Sequence, residues 1–110
     1  MAKKKQKSSW NRRHEFARKK STRRQVGHPA FIYAQRGRNY KYLAVTHTPE
    51  LGKESDYELL KHNVDPDMDG KEPSYLKKKY SVSPDHSFER PPKKYRFHED
   101  DIPTVKKYKK

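Results

Sequence analysis

Residues 30–46 read AFIYAQRGRNYKYLAVT, and this stretch decides the fold. Ala30 to Ala34 is a short apolar and aromatic run of the kind that forms a strand. Gln35 to Asn39 then supplies the Gly and Asn that a tight hairpin loop uses. Tyr40 to Thr46 returns as a second strand, in which side chains alternate between faces. Tyr40, Tyr42 and Ala44 share one face, and Lys41, Leu43 and Val45 share the other. The spacing therefore predicts an antiparallel hairpin with Arg36 and Arg38 at its tip.

Downstream the pattern is weaker. Residues 48–72 are polar, acidic and turn-rich, with Tyr57, Leu59 and Leu60 marking a short strand. Tyr75 to Val82 (YLKKKYSV) reads as one further strand, with Leu76, Tyr80 and Val82 set against Lys77, Lys79 and Ser81. After a loop holding Pro84, Pro91 and Pro92, Tyr95 to Phe97 adds a last short strand. Glu99, Asp100 and Asp101 precede Lys106, Lys107, Lys109 and Lys110, the charge order that complements a helix dipole. A helix over about 99–109 is expected there, packing Ile102, Val105 and Tyr108, with Pro103 in its first turn.

Upstream the chain is a basic arm. From Trp10 to Lys20 there is no Gly or Pro, Ser8 and Ser9 offer an N-cap, and Trp10, His14 and Ala17 fall at helical spacing. Arg12, Arg13, Arg18, Lys19 and Lys20 cover the remaining surface, and Arg23 and Arg24 follow. So short a helix buries too little apolar area to hold by itself, so folding on a nucleic acid is its functional reading. The expected organisation is an arm over 1–25 and one domain over 26–110, its sheet spanning about 26–97. The fold class is α+β or mostly-β: a small twisted antiparallel sheet, a basic N-terminal arm that is helical or disordered, and a short C-terminal helix.

The charge is patterned as well as large. The 110 residues carry 28 Lys+Arg against 14 Asp+Glu, a net +14. Residues 1–30 contribute +10 and residues 31–48 contribute +3, residues 49–72 reverse to −5, and residues 73–110 return to +6. Such a surplus makes a polyanion the natural partner. Apolar residues are only 29% of the chain, so the core must be thin, and eight Tyr, four Phe and one Trp must supply much of it. With no cysteine there is neither a disulfide nor a thiolate zinc site. No segment has the length of apolar sequence that crosses a bilayer, and the basic N-terminus lacks the apolar run of a secretion signal. A soluble, intracellular protein is expected, cytoplasmic, or nuclear in a eukaryote. The composition suits an accessory protein of a phage, plasmid or other mobile element, or a ribosome-associated factor.

Two functions follow from these residues. The first is non-enzymatic nucleic-acid binding, RNA ahead of DNA, through Arg12, Arg13, Arg18, Lys19, Lys20, Arg23 and Arg24 of the arm and Arg36, Arg38, Tyr40, Lys41 and Tyr42 of the hairpin. Aromatic rings ringed by cations stack bases and pair phosphates. The second is a metal-independent ribonuclease of the small toxin type. Its general acid, general base and charge-stabilising cation would come from His28, Arg36, Tyr40, His47, Arg96 and His98, with His28 and His47 facing each other across the hairpin. The acidic middle adds a third partner class, an acid–base contact with another protein. No cofactor and no metal are expected. Asp65, Asp67, Asp69 and Gly70 reproduce the opening of a calcium loop, D-x-D-x-D-G, but Leu76 stands where the bidentate Glu belongs. A polar, Asx-stabilised turn explains those residues better. The six histidines show no short ligand spacing, so a zinc site would have to gather ligands from distant positions.

Overall fold

In the computed structural model, residues 15–21 and 27–110 are described. What the sequence leads one to expect of Trp10 to His14, of Arg12, Arg13, Arg23 and Arg24, and of Val26 lies outside them. The described chain is a seven-stranded antiparallel sheet, not closed, with one short C-terminal helix. The strands are β1 (Glu15–Lys19), β2 (Pro29–Arg36), β3 (Asn39–Thr46), β4 (Tyr57–Leu59), β5 (Tyr75–Lys77), β6 (Ser81–Pro84) and β7 (Phe88–Glu89), followed by α1 (Ile102–Tyr108). The hydrogen-bonded order is β4-β5-β3-β2-β1-β7, with β6 also pairing β3. Among the described residues, no helix is long and apolar enough to cross a membrane.

The hairpin forms as its sequence dictates. Ala30 pairs Ala44, Phe31 pairs Leu43 and Arg36 pairs Asn39, with a bulge between Ile32 and Ala34. Gly37 turns the tip at φ +60°, where a Cβ would be strained. Both faces of the hairpin are buried, and the alternation sorts them. Ala30, Ile32, Tyr40 and Tyr42 join Ala17 and Phe88 in one cluster. Tyr33, Leu43 and Val45 join Leu60, Val64, Leu76 and Val105 in the other, with Phe16, Phe31, Tyr95 and Phe97 packed against it.

Two edges of the sheet are joined by a very short link. β6 lies beside β3 and β7 beside β1, yet only the 3-10 turn Asp85–Ser87 separates them in sequence. In a flat sheet those strands would stand about 19 Å apart, four spacings of ~4.8 Å. Four residues reach at most about 14 Å. The sheet therefore curls, enclosing the Tyr40, Tyr42 and Phe88 cluster on its concave side.

Three expectations are corrected. Glu15–Lys19 is a strand and not part of a helix. As a strand it places fully buried Ala17 opposite Ala30 and Phe16 opposite Phe31, in two different cores; helical spacing cannot serve both. The sheet thus begins before the expected boundary at residue 26. Tyr75 to Val82 is two strands, because Leu76 lies opposite Val45 but Ser81 opposite Tyr42, so two extra residues interrupt the ladder with β3. Tyr80 and Val82 are consequently exposed. Tyr95 to Phe97 forms no strand; its Tyr95 N–H turns back to the Lys93 carbonyl, its Arg96 N–H donates to the Val64 carbonyl, and two of its rings cap Phe16. The C-terminal helix is present, with Val105 and Tyr108 packed as expected and Ile102 exposed instead. His98 caps a 3-10 turn over Glu99–Asp101 that runs into α1, with Pro103 in the first turn and Val105 buried.

Candidate nucleic-acid interface

The turn that curls the sheet also gathers cations. Its Asp85 amide donates to the Arg38 carbonyl at 2.7 Å, and its Ser87 carbonyl accepts from the Lys20 amide at 2.9 Å. Asp85 and Ser87 are two residues apart, so the backbones of Arg38 and Lys20 lie within about 15 Å of each other. The hairpin tip and the end of β1 are thus neighbours, although they stand at opposite ends of the ladder. Arg36 and Arg38 are exposed at that tip, and Lys20 is exposed beside it.

Lys19 and Lys20 continue into a cleft of about 760 Å³, lined also by His28, His47, Tyr57, Lys77 and Tyr95. Glu50 and Glu72 lie at its wall. Its floor is small because Ala30 and Ala44 pair there. The amide of Lys19 donates to the His28 carbonyl at 2.9 Å, holding the β1 end against the start of β2. Gly27 makes this approach feasible: a Cβ there would meet the Lys19 carbonyl oxygen at 1.9 Å. Burial, and then the charges of His47 and Arg18, hold the His28 imidazole below its ordinary pKa of 6.5. Near neutral pH, His28 therefore favours its uncharged form, in a cleft that His47 and lysines also line.

A second basic patch lies where β3 meets β6. The Lys41 ammonium stands 4.1 Å from the Tyr80 ring centroid and 5.6 Å from that of Tyr33. The Tyr33 hydroxyl donates to the Lys110 backbone oxygen at 3.0 Å, which brings the lysine-rich end of the chain to the same place. Tyr80 is 47% exposed, so its ring is open to a ligand.

The residues expected to bind or react separate into groups. Tyr40 is 1% exposed and Tyr42 8%; their rings pack on Phe88 at 5.7 and 5.1 Å, so neither presents a face to a base. Arg18 is engaged by Glu89 at 3.8 Å. Lys19, Lys20, Arg36, Arg38 and Lys41 make no ion pair with a described carboxylate. Of the twenty Lys and Arg that are described, only Arg18, Lys53 and Lys93 do. Of the six residues proposed for catalysis, the cleft brings together His28 and His47 alone. Arg36 is at the hairpin tip, Tyr40 is in the core, Arg96 is bonded to Val64, and His98 stacks on His62.

Sequence reading missed Tyr80, Lys77, Tyr57 and Tyr95. Tyr80 carried a signal, the lysine run 77–79 before it, but strand alternation assigned it to the core. Two of the three aspartates of the calcium-like loop, Asp65 and Asp69, have separate side-chain partners. Asp65 accepts from the Asp67 amide and from Lys93 at 2.9 Å, and Asp69 accepts from His62 and the Asn63 amide. That is the expected Asx turn. Compared with protein-family models, with curated proteins and with solved structures, the chain matches none.

Proposed function

We propose that this is a nucleic-acid-binding protein that grips the phosphate backbone, RNA in preference to DNA. The observation that carries the reading is the three-residue turn Asp85–Ser87, which joins Arg38 of the hairpin to Lys20, just after β1, while Arg36, Arg38, Lys19 and Lys20 form no ion pair with a described carboxylate. Unpaired cations on one surface release counterions when phosphates replace them, and that release drives binding. The exposed Tyr80 ring beside Lys41 and the Lys110 end adds a stacking platform of the kind unpaired bases use, which favours single-stranded RNA.

Retardation assays across a salt series test this. Log affinity falls linearly with log salt, and deletion of residues 1–13, which spares β1, lowers both affinity and slope. A slope near zero in the full chain ends the proposal. Matched RNA and DNA oligonucleotides in the same assay decide the preference.

The His28 and His47 pair favours one second reading, metal-independent RNA cleavage in the cleft. His28 would take the 2′-hydroxyl proton as that oxygen forms its bond to phosphorus. The P–O5′ bond would break, and His47 would give the leaving oxygen its proton, yielding a 2′,3′-cyclic phosphate and a 5′-hydroxyl. Lys19, Lys20 and Lys77 would meet the charge on phosphorus. RNA left intact in chelator by the wild-type protein rules this out; cleavage that survives both His28→Ala and His47→Ala moves it elsewhere.

A further inference from the structure

A second histidine pair lies outside the cleft, and its surroundings differ in kind. His62 follows β4, and His98 opens the turn that leads into α1; they are 36 residues apart in sequence. Their rings stack with centroids 3.6 Å apart and planes 18° from parallel. The Asp100 carboxylate closes the group: its Oδ2 is 3.0 Å from His62 Nε2 and 3.4 Å from His98 Nδ1. The donor atoms of His62, His98 and Asp100 all lie within 4.8 Å of one another.

We propose that His62, His98 and Asp100 are a binding site for one divalent transition-metal ion of zinc type. Two imidazoles and a carboxylate are the donor set that such borderline-soft ions take, whereas calcium and magnesium seek oxygen alone. The spacing fits. In a tetrahedral site with bonds of about 2.0–2.1 Å, neighbouring ligand atoms stand about 3.3 Å apart. The Asp100 contacts, at 3.0 and 3.4 Å, bracket that value. The supporting contacts are also present. His62 Nδ1 lies 2.8 Å from Asp69 Oδ2, and the other Asp69 oxygen is fixed by the Asn63 amide at 3.1 Å. A ligand histidine that gives its second N–H to a held carboxylate has its tautomer and ring plane set in advance, with Nε2 left to the metal. The backbone beneath is held too, because buried Asp101 accepts from the Lys61 and His62 amides at 2.7 and 3.0 Å and so ties the two ligand-bearing loops together.

Binding alters two contacts and the stacking, since one of the near-parallel imidazoles must turn for both in-plane lone pairs to reach one ion. The ion displaces the proton between His62 Nε2 and Asp100. It also competes with the Asp100 amide, which donates to His98 Nδ1 at 3.0 Å. A water completes the four-coordinate shell. The calcium-like loop contributes through Asp69 alone, as support for His62.

The test is calorimetric titration of the full chain with zinc chloride, with imidazole NMR on the same sample. One equivalent binds, and the His62 and His98 ring signals move. His62→Gln and His98→Asn each weaken binding at least tenfold; in the second variant the side-chain amide keeps an acceptor for the Asp100 N–H, so the turn retains its cap. Asp69→Asn weakens it about 10- to 100-fold through the His62 ring. His28→Ala leaves it unchanged, which separates this site from the cleft. Absence of saturable binding at micromolar zinc overturns the proposal. So does binding that moves other histidines, or that persists in the His62→Gln/His98→Asn double variant.

Discussion

The two histidine pairs of this protein are built from the same side chain and made opposite by their neighbours. His28 and His47 line one cleft with lysines, and His28 is held below its ordinary pKa by burial and by positive charge. His62 and His98 stack among carboxylates; the hydrogen bonds from Asp69 and then Asp100 raise the His62 pKa, while both aspartates are held low by their bonds to His62. Burial and positive charge in the first site favour the neutral form of His28, and carboxylates in the second favour the charged form of His62. Position in the sequence predicts neither; the neighbours supplied by distant segments decide both.

The largest effect on this contrast comes from removing its scaffold. Asp101→Ala leaves the Lys61 and His62 amides without their acceptor in a buried place, so a loss of about 2–4 kcal/mol in urea unfolding is expected. The His62–His98 cluster loosens while the cleft histidines keep their NMR signals. Next is Tyr80→Ala, expected to cost about 1–3 kcal/mol of single-stranded RNA affinity when a base stacks there. The same change at Tyr40 instead destabilises the fold. Lys19→Ala and Lys20→Ala each reduce the magnitude of the salt slope by about 0.7, whereas His62→Gln leaves the slope unaltered.

The smallest effect is the most diagnostic, because its sign differs between the pairs. His62 is raised from 6.5 and its aspartates lowered from 3.8, so the cluster contributes full stability between those two values. That contribution is lost as pH rises through the folded His62 value, and again as pH falls through the folded aspartate values. His28 is lowered, so the folded state resists its protonation; the penalty grows as pH falls below 6.5 and is absent above it. Comparing thermal midpoints at pH 5 and 8, His62→Gln is expected to lose more at pH 5, and His28→Ala to gain there. Shifts of the same sign in both variants break the comparison.

The hairpin was legible because its information is local: alternation from Tyr40 to Val45 sorts two cores, and Gly37 marks the turn between them. The C-terminal helix was legible for the same reason, through Pro103 and the ordered charges around it. Glu15–Lys19 was not, because Phe16 and Ala17 fit a helix face as well as a strand until Phe31 and Ala30 are known to lie opposite them. The strand expected over 75–82 failed where two extra residues between Leu76 and Ser81 shift its register against β3. Of the six residues proposed for cleavage, only His28 and His47 line one cleft, because they flank the same hairpin. His62 and His98 share no element, and no spacing rule joins residues held together by a buried aspartate and a stacked ring.

The outermost strands of the sheet have a further consequence. β4 is three residues long and β7 two, and β6 ends on Pro84, which has no amide hydrogen to offer. A second copy of the chain finds almost no continuous row of free amides and carbonyls along which to add itself, and a net charge of +14 repels its approach. On the proposed reading, copies gathered on one polyanion meet through described strands that offer little edge to pair.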